Sequence, residues 1–160
     1  MEHLFMDYQP IIGIAPTSGN AARTGDWVSL SNAIDFYAVS SFRRPTAGAC
    51  KVEVEYGESY AGVNNSTLTS GRTVWSQADM SASEYIAVRT SSSASYTLPS
   101  ATGLGIVITH VNPSALNAST PYIRVTHGTM GTANDGETCM YYLRSRYPQA
   151  RHITATTSST

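Results

Sequence analysis

At 160 residues and 17.1 kDa the chain has the length of one domain, long enough to bury a core without metal or disulfide staples. Only 13% of the residues are charged and the net charge is -1, which excludes the clustered cations of a nucleic-acid binder. No apolar run approaches the ~18 residues of a membrane-spanning helix and no basic-then-apolar leader opens the chain, so the sequence reads as a soluble, non-exported protein with no membrane partner.

Residues 1–23, MEHLFMDYQPIIGIAPTSGNAAR, mix Leu4, Phe5, Tyr8, Ile11, Ile12 and Ile14 with Pro10, Pro16 and glycine at no helical spacing. They read as an extended arm, whose apolar groups suit either the chain's own domain or a neighbouring subunit. In TGDWVSL, Gly25-Asp26 reads as a turn and Trp27, Val28 and Leu30 as the entry to a strand. Trp27 either caps the core there or stands at a subunit contact.

From Trp27 onward the period is two. Ala33 to Phe42 puts Ile34, Phe36, Ala38 and Phe42 on one face and Asp35, Tyr37, Val39 and Ser41 on the other, a strand buried on most of both faces. A turn is expected at Arg43 to Gly48. CKVEVEY follows, with Cys50, Val52, Val54 and Tyr56 inward and Lys51, Glu53 and Glu55 toward water. Residues 57–71 read as a polar loop, Arg72 to Trp75 as a return to the sheet, Ser76 to Ser83 as a short helical turn, and Glu84 to Thr90 as another strand. Further strands are expected at Ser95 to Leu98, Gly105 to Val111, Tyr122 to Thr126 and Thr138 to Tyr147.

About eight or nine strands with no helical stripe make an all-β fold, an antiparallel β-sandwich or jelly roll over residues 24–147. Parallel α/β folds and their cofactor sites are thereby disfavoured. Residues 148–160 form a Ser/Thr-rich tail, preceded and entered by the cations Arg144, Arg146 and Arg151 and by His152.

No constellation for chemistry emerges. There is no Gly-x-Ser-x-Gly and no His-Glu-x-x-His, and His3, His110, His127 and His152 are scattered. His110 and His127 close predicted strands, where a hydrogen-bonded structural role is expected; a deep polar pocket joining either one to an acid and a nucleophile would revive an enzyme. ANDGET, Ala133 to Thr138, resembles a calcium loop only in carrying Asn134, Asp135 and Glu137 near a glycine, and turn chemistry explains it as well. The remaining acids, Glu53, Glu55, Glu58, Asp79, Glu84 and Asp135, are placed on solvent faces or in loops. Cys50 and Cys139 lie on apolar strand faces without a Cys-x-x-Cys partner and are expected to be buried free thiols. The glycosylation patterns at Asn64, Asn65 and Asn117 are a chance result of high Ser/Thr content. Catalytic residues, cofactors and metals are thus expected to be absent.

TGDWVSLSNA before an apolar strand, and PYIRVTHG after a Ser/Ala-rich stretch, together resemble the small β-rich structural proteins of tailed bacteriophages, decoration and accessory proteins. The likeness covers about half the chain and implies a β-sandwich that assembles on the virion. The expectation is a capsid decoration protein that binds the major capsid protein as a homo-oligomer, a trimer being favoured. Its contacts are expected at Leu4, Phe5, Tyr8, Ile11, Trp27, Arg144, Arg146 and Arg151, where the arm is apolar and arginine forks pair with carboxylates. The alternatives are a neck, tail or fibre adaptor, and a carbohydrate-binding sandwich using Tyr and Trp rings.

Overall fold

A computed structural model describes residues 8–81, 86–90, 94–131 and 135–145. Ten strands form one antiparallel sheet: β1 (Gln9–Ser18), β2 (Arg23–Thr24), β3 (Val28–Ser29), β4 (Ala33–Gly57), β5 (Ser66–Thr67), β6 (Arg72–Gln77), β7 (Ala87–Thr90), β8 (Ser95–Val111), β9 (Tyr122–His127) and β10 (Gly136–Ser145). The fold is all-β, and the sheet curls on itself in the manner of a sandwich. A single 3-10 turn, Pro113–Ala115, is the one helical element among the described residues, capped by the Asn112 side chain.

The curl comes from two strands that cross both layers. The first half of β4 pairs with β10 from Phe36↔Leu143 to Arg43↔Gly136, and β8 pairs alongside from Phe36↔Val111 to Arg44↔Gly103. With β1 and β6 this makes a layer in the order β1-β10-β4-β8-β6-β7. Beyond register shifts between Arg44, Gly48 and Cys50, β4 continues into the second layer, pairing with β9 and with the start of β8. The expected turn at Arg43 to Gly48 is therefore a bulged bend inside one strand of 25 residues. Bulges bend a strand without ending its pairing.

Arg44 holds the bend. Fully buried, it donates through Nη1 to the carbonyls of Gly48 and Pro99, both at 2.8 Å, and through Nη2 to that of Ala78. Backbone carbonyls freed where the ladder slips are satisfied by one guanidinium fork. Gly103, opposite Arg44, has φ +93°, a conformation that favours glycine.

Between the layers lie Phe36, Ala38 and Phe42, Cys50, Val52 and Val54, Val107 and Val111, Ile123 and Val125, with Tyr141 at the centre. The inward set predicted for CKVEVEY holds for Cys50, Val52 and Val54, while Tyr56 is half-buried. Both cysteines are free and buried. The expected burial of both faces of the first strand fails: Asp35, Tyr37, Val39 and Ser41 are half-exposed. Where a helical turn was expected over Ser76 to Ser83, β6 ends at Gln77 and an Asp79 turn follows, its Oδ1 accepting from the Ser81 amide at 2.9 Å; residues 82 and 83 lie outside the described residues.

Most of the described arm is sheet. β1 pairs with β10 from Gln9↔Leu143 to Ser18↔Gly136, with bulges around Ile14, and Ile11 and Ile14 are in the core. The sheet thus takes in residues well before position 24, because burying two isoleucines and closing the β10 edge outweigh the breaks at Pro10, Gly13 and Pro16.

Candidate functional site

Three arrangements on this scaffold carry polar or aromatic side chains into defined geometry. The first is internal. His127, the last residue of β9, lies between β10 and the first half of β4; its Nδ1 is 2.6 Å from Glu137 Oε2 and its Nε2 is 2.8 Å from Ser40 Oγ. Glu137 Oε1 faces Arg23 Nε at 3.6 Å, and the Ser40 hydroxyl also reaches Cys139 Sγ at 3.4 Å. The His127 ring packs on Phe42, centroids 4.6 Å apart. Asp135 is buried nearby at the entrance to β10, which corrects its expected place in a solvated loop.

Serine, histidine and carboxylate stand here in the hydrogen-bond order of an acyl-transfer triad. Yet Ser40 and His127 are each 1% exposed, and no substrate carbonyl reaches a nucleophile so enclosed. None of these side chains lines the cavity of about 160 Å³ at Tyr56, Leu68, Asn117 and Thr120 or the open groove of about 530 Å³ at Pro16, Thr17, Ser18, Arg43 and Gly136. The arrangement ties β2, β4, β9 and β10 together, the hydrogen-bonded role expected of a strand-end histidine. Burial pushes the Cys139 thiol up to about 12 and the Cys50 thiol up to about 11, so neither is a nucleophile near neutrality. Among the described residues no group of three His, Cys, Asp or Glu is placed to hold a metal.

The second arrangement lies at the surface of the first layer. His110 Nε2 on β8 is 2.5 Å from Asp35 Oδ1 on β4, the Tyr37 ring stacks on His110 at 4.6 Å, and the Trp75 ring follows at 6.5 Å. Tyr8 packs edge-on against Tyr37 at 5.9 Å and donates to Asp35 Oδ2 at 3.4 Å. Burial is the main cause that raises the Tyr8 and Tyr37 hydroxyls above their ordinary range.

The third is the outer face to which these rings belong. Register places Ile12, Met140, Val39, Ile108 and Trp75 side by side on five adjacent strands, all on the side away from the core. Tyr142, Tyr37, His110 and Thr73 form the row on one side, and Thr138, Ser41, Ile106 and Gln77 the row on the other. Ile12 is 54% exposed, and Leu104, farther along the same face, 51%. The outer face of the second layer is of another kind, with Arg124 2.6 Å from Glu55 and Lys51 2.9 Å from Glu53.

The contact residues predicted from sequence separate accordingly. Tyr8 and Arg144 border the apolar face, Arg144 as the cross-strand neighbour of Asp35. Ile11 is a core residue, which removes it as an exposed contact. Trp27 is half-buried beside Gly57 and Gly62, with the Arg124 guanidinium 4.4 Å above its ring, so it closes the rim of the second layer. Asp26, beside it, is shifted upward by burial. Leu4, Phe5, Arg146 and Arg151 lie outside the described residues. The row Ile12-Met140-Val39-Ile108-Trp75 was missed from sequence because it exists only through the register of five strands.

No family model matches the chain, and no curated protein matches it. Among solved structures it is similar in outline to the SPBc2 prophage-derived protein YomS, at TM-score 0.45 and 5% identity over 86% of this chain and 93% of that one. The CBM22-1-GH10 modules of Clostridium thermocellum xylanase 10B give TM-score 0.33 at 8% identity, over 89% of this chain and 27% of theirs. Infectious bursal virus derived T=1 particles give 0.26 at 11%, over 92% and 42%.

Proposed function

We propose that the chain is a non-catalytic structural protein of a phage particle, a decoration protein that binds the head and stabilises it. The observation that carries the assembly part of this reading is the contrast between the two outer faces: one is ion-paired and polar, the other a half-exposed row of five apolar side chains. An apolar face of this kind in a water-soluble domain is suited to protein contact. The enclosure of Ser40 and His127 supports a role without catalysis. The resemblance of TGDWVSLSNA and PYIRVTHG to tailed-phage structural proteins supports the particle as the setting. The mechanism is linkage: a protein that binds only the assembled shell lowers the free energy of that state, and many copies multiply a modest contact.

Cryo-microscopy of particles assembled with the chain tests this. Density for many copies over the head surface supports it, a single ring at the neck transfers the protein to the adaptor class, and particles without the chain overturn it. A second reading, carbohydrate binding, is favoured by the half-exposed rings of Tyr37, Tyr142 and Trp75 near the Asp35 carboxylate. Binding on a glycan array that Trp75→Ala and Tyr37→Ala abolish would support that reading instead.

A further inference from the structure

We propose that the half-open cavity between Tyr56 and Asn117 is a binding site for a single neutral pyranose, free or at the end of a glycan. The site is independent of the assembly reading, and none of Tyr37, Tyr142 and Trp75 lines it. Its walls follow from the chain. Tyr56, the penultimate residue of β4, continues the inward row of Val52 and Val54 but is only half-buried against the core. Leu68, just after β5, is tied to β4 by its amide, which donates to the Val54 carbonyl at 2.7 Å, and Leu116 ends the 3-10 turn. These three side chains and the loops that carry Ser70 and Asn117 enclose about 160 Å³.

Size and lining set the ligand. A cavity of ~150 Å³ accepts one six-membered ring, whereas drug-sized ligands need roughly 300 Å³ or more. Among the described residues no acid, lysine, arginine or histidine lines the cavity, so an ionised ligand would lose hydration without gaining a counter-charge. The wall has two characters. Tyr56, Leu68 and Leu116 present an aromatic ring and two aliphatic chains, while Thr69, Ser70, Asn117 and Thr120 present hydroxyls and an amide. The matching ligand has an apolar face edged with hydroxyls, and a pyranose is such a ring: its C–H face lies on the apolar wall and its hydroxyls meet the polar one.

The polar groups are held in place beforehand. Asn117 Oδ1 accepts from the Ser119 amide at 3.0 Å, the Ser119 hydroxyl at 2.7 Å and the Thr120 hydroxyl at 2.8 Å. The backbone N–H among these donors fixes which side-chain atom is the oxygen, so Asn117 offers its Nδ2 donors to a ligand. Thr120 is buried and its hydroxyl is committed as a donor, which leaves its oxygen as an acceptor. Beside the cavity, Gly71 has φ +73°, and a Cβ there would fall 2.3 Å from that of Ala115. The Asn112 amide donates to the Gly71 carbonyl at 3.3 Å. This close approach clamps the Ser70 loop against the Asn117 loop, so a ligand pays little ordering entropy.

Amide NMR shifts of the full chain, titrated with the methyl glycosides of glucose, galactose, mannose and N-acetylglucosamine, test this. At least one is expected to bind with a Kd on the order of 1 mM, which about a dozen heavy atoms supply, and to move the amides of Leu68 to Ser70 and Leu116 to Thr120. Glucuronate is expected to bind at least ~10-fold more weakly. Asn117→Asp keeps the oxygen that holds the turn and removes the Nδ2 donors; Ser70→Phe fills the mouth from an exposed position. Each is expected to weaken binding by at least ~10-fold with an unchanged thermal melt. Oligosaccharides ending in the bound ring separate the two sources: equal or tighter binding assigns a glycan end, weaker binding the free sugar, and both support the site. Silence from every glycoside at ~50 mM overturns the proposal. So do shifts confined to the surroundings of Tyr37 and Trp75, equal binding of glucuronate, or binding that both variants leave intact.

Discussion

At the residue scale, His127 matters for what it would leave behind. It is the partner of a carboxylate that no water reaches, since the Glu137 side chain is fully buried. His127→Ala removes the Nδ1 contact and opens a cavity beside Phe42, so a loss of about 3–5 kcal/mol is expected. Ser40→Ala removes one hydroxyl from the far end of the same chain and should cost only about 1–2 kcal/mol. Urea denaturation of the two variants checks the order, and equal losses would mean that the Glu137 charge is not the main burden. Asp26 makes the opposite case. Burial raises its folded pKa, so the fold favours the neutral acid. Its contribution is fully present below the unfolded value near 4 and is lost as pH rises through the raised folded value. Asp26→Asn should therefore raise the melting temperature by roughly 1–3 °C at pH 7 and leave it unchanged at pH 3. The backbone bond from the Asp26 amide to the Gly13 carbonyl, 3.0 Å, survives the change. A melting temperature that falls at pH 7 would contradict this.

At the element scale, legibility followed the strength of alternation. CKVEVEY was readable because Cys50, Val52, Val54 and Tyr56 alternate with the three charged side chains Lys51, Glu53 and Glu55 without interruption. β1 was not, because Pro10, Gly13 and Pro16 break its pattern, and the compensation comes from β10, over a hundred positions away in the chain. The unity of β4 was hidden by Pro45 and Gly48, which spell a turn locally, while Arg44 supplies the bonds that keep the strand continuous. The joining of Ser40 to His127 spans 87 positions and depends on register, so sequence reading reached the histidine's structural role but not its partners. Glu137 was read as turn chemistry because it follows Asn-Asp-Gly, although β10 has already begun at Gly136. Close approach explains Gly13 where its pattern did not. A methyl group there would fall within the Tyr141 ring, which sits in the middle of the core. Gly13→Ala should destabilise by about 2–4 kcal/mol, and Gly13→Ala combined with Tyr141→Leu by less than the sum of the two single changes. Additive losses in thermal denaturation would show that the two positions do not share space.

At the scale of the whole molecule, β1 has two duties that pull in different directions. On its inner side Ile11 and Ile14 complete the core, and on its outer side Ile12 opens the apolar row at the edge of the layer. A chain shortened to begin at Ala15 therefore cannot test the arm as a contact element alone. It removes two core side chains and leaves the inner strand β10 as a long unpaired edge, a template for association with other chains. The loss of two buried isoleucines predicts a fall in melting temperature of about 10 °C or more, with aggregation on heating. Removal of residues 1–7 alone keeps β1, Tyr8 and the ladder to β10, and it isolates Leu4 and Phe5 for the test of their expected role. If the shorter truncation melts like the full chain but no longer sediments or binds particles like it, contact belongs to those residues. If only the truncation to Ala15 changes either property, β1 acts through the sheet it completes, and the apolar row is the surface on which the protein assembles.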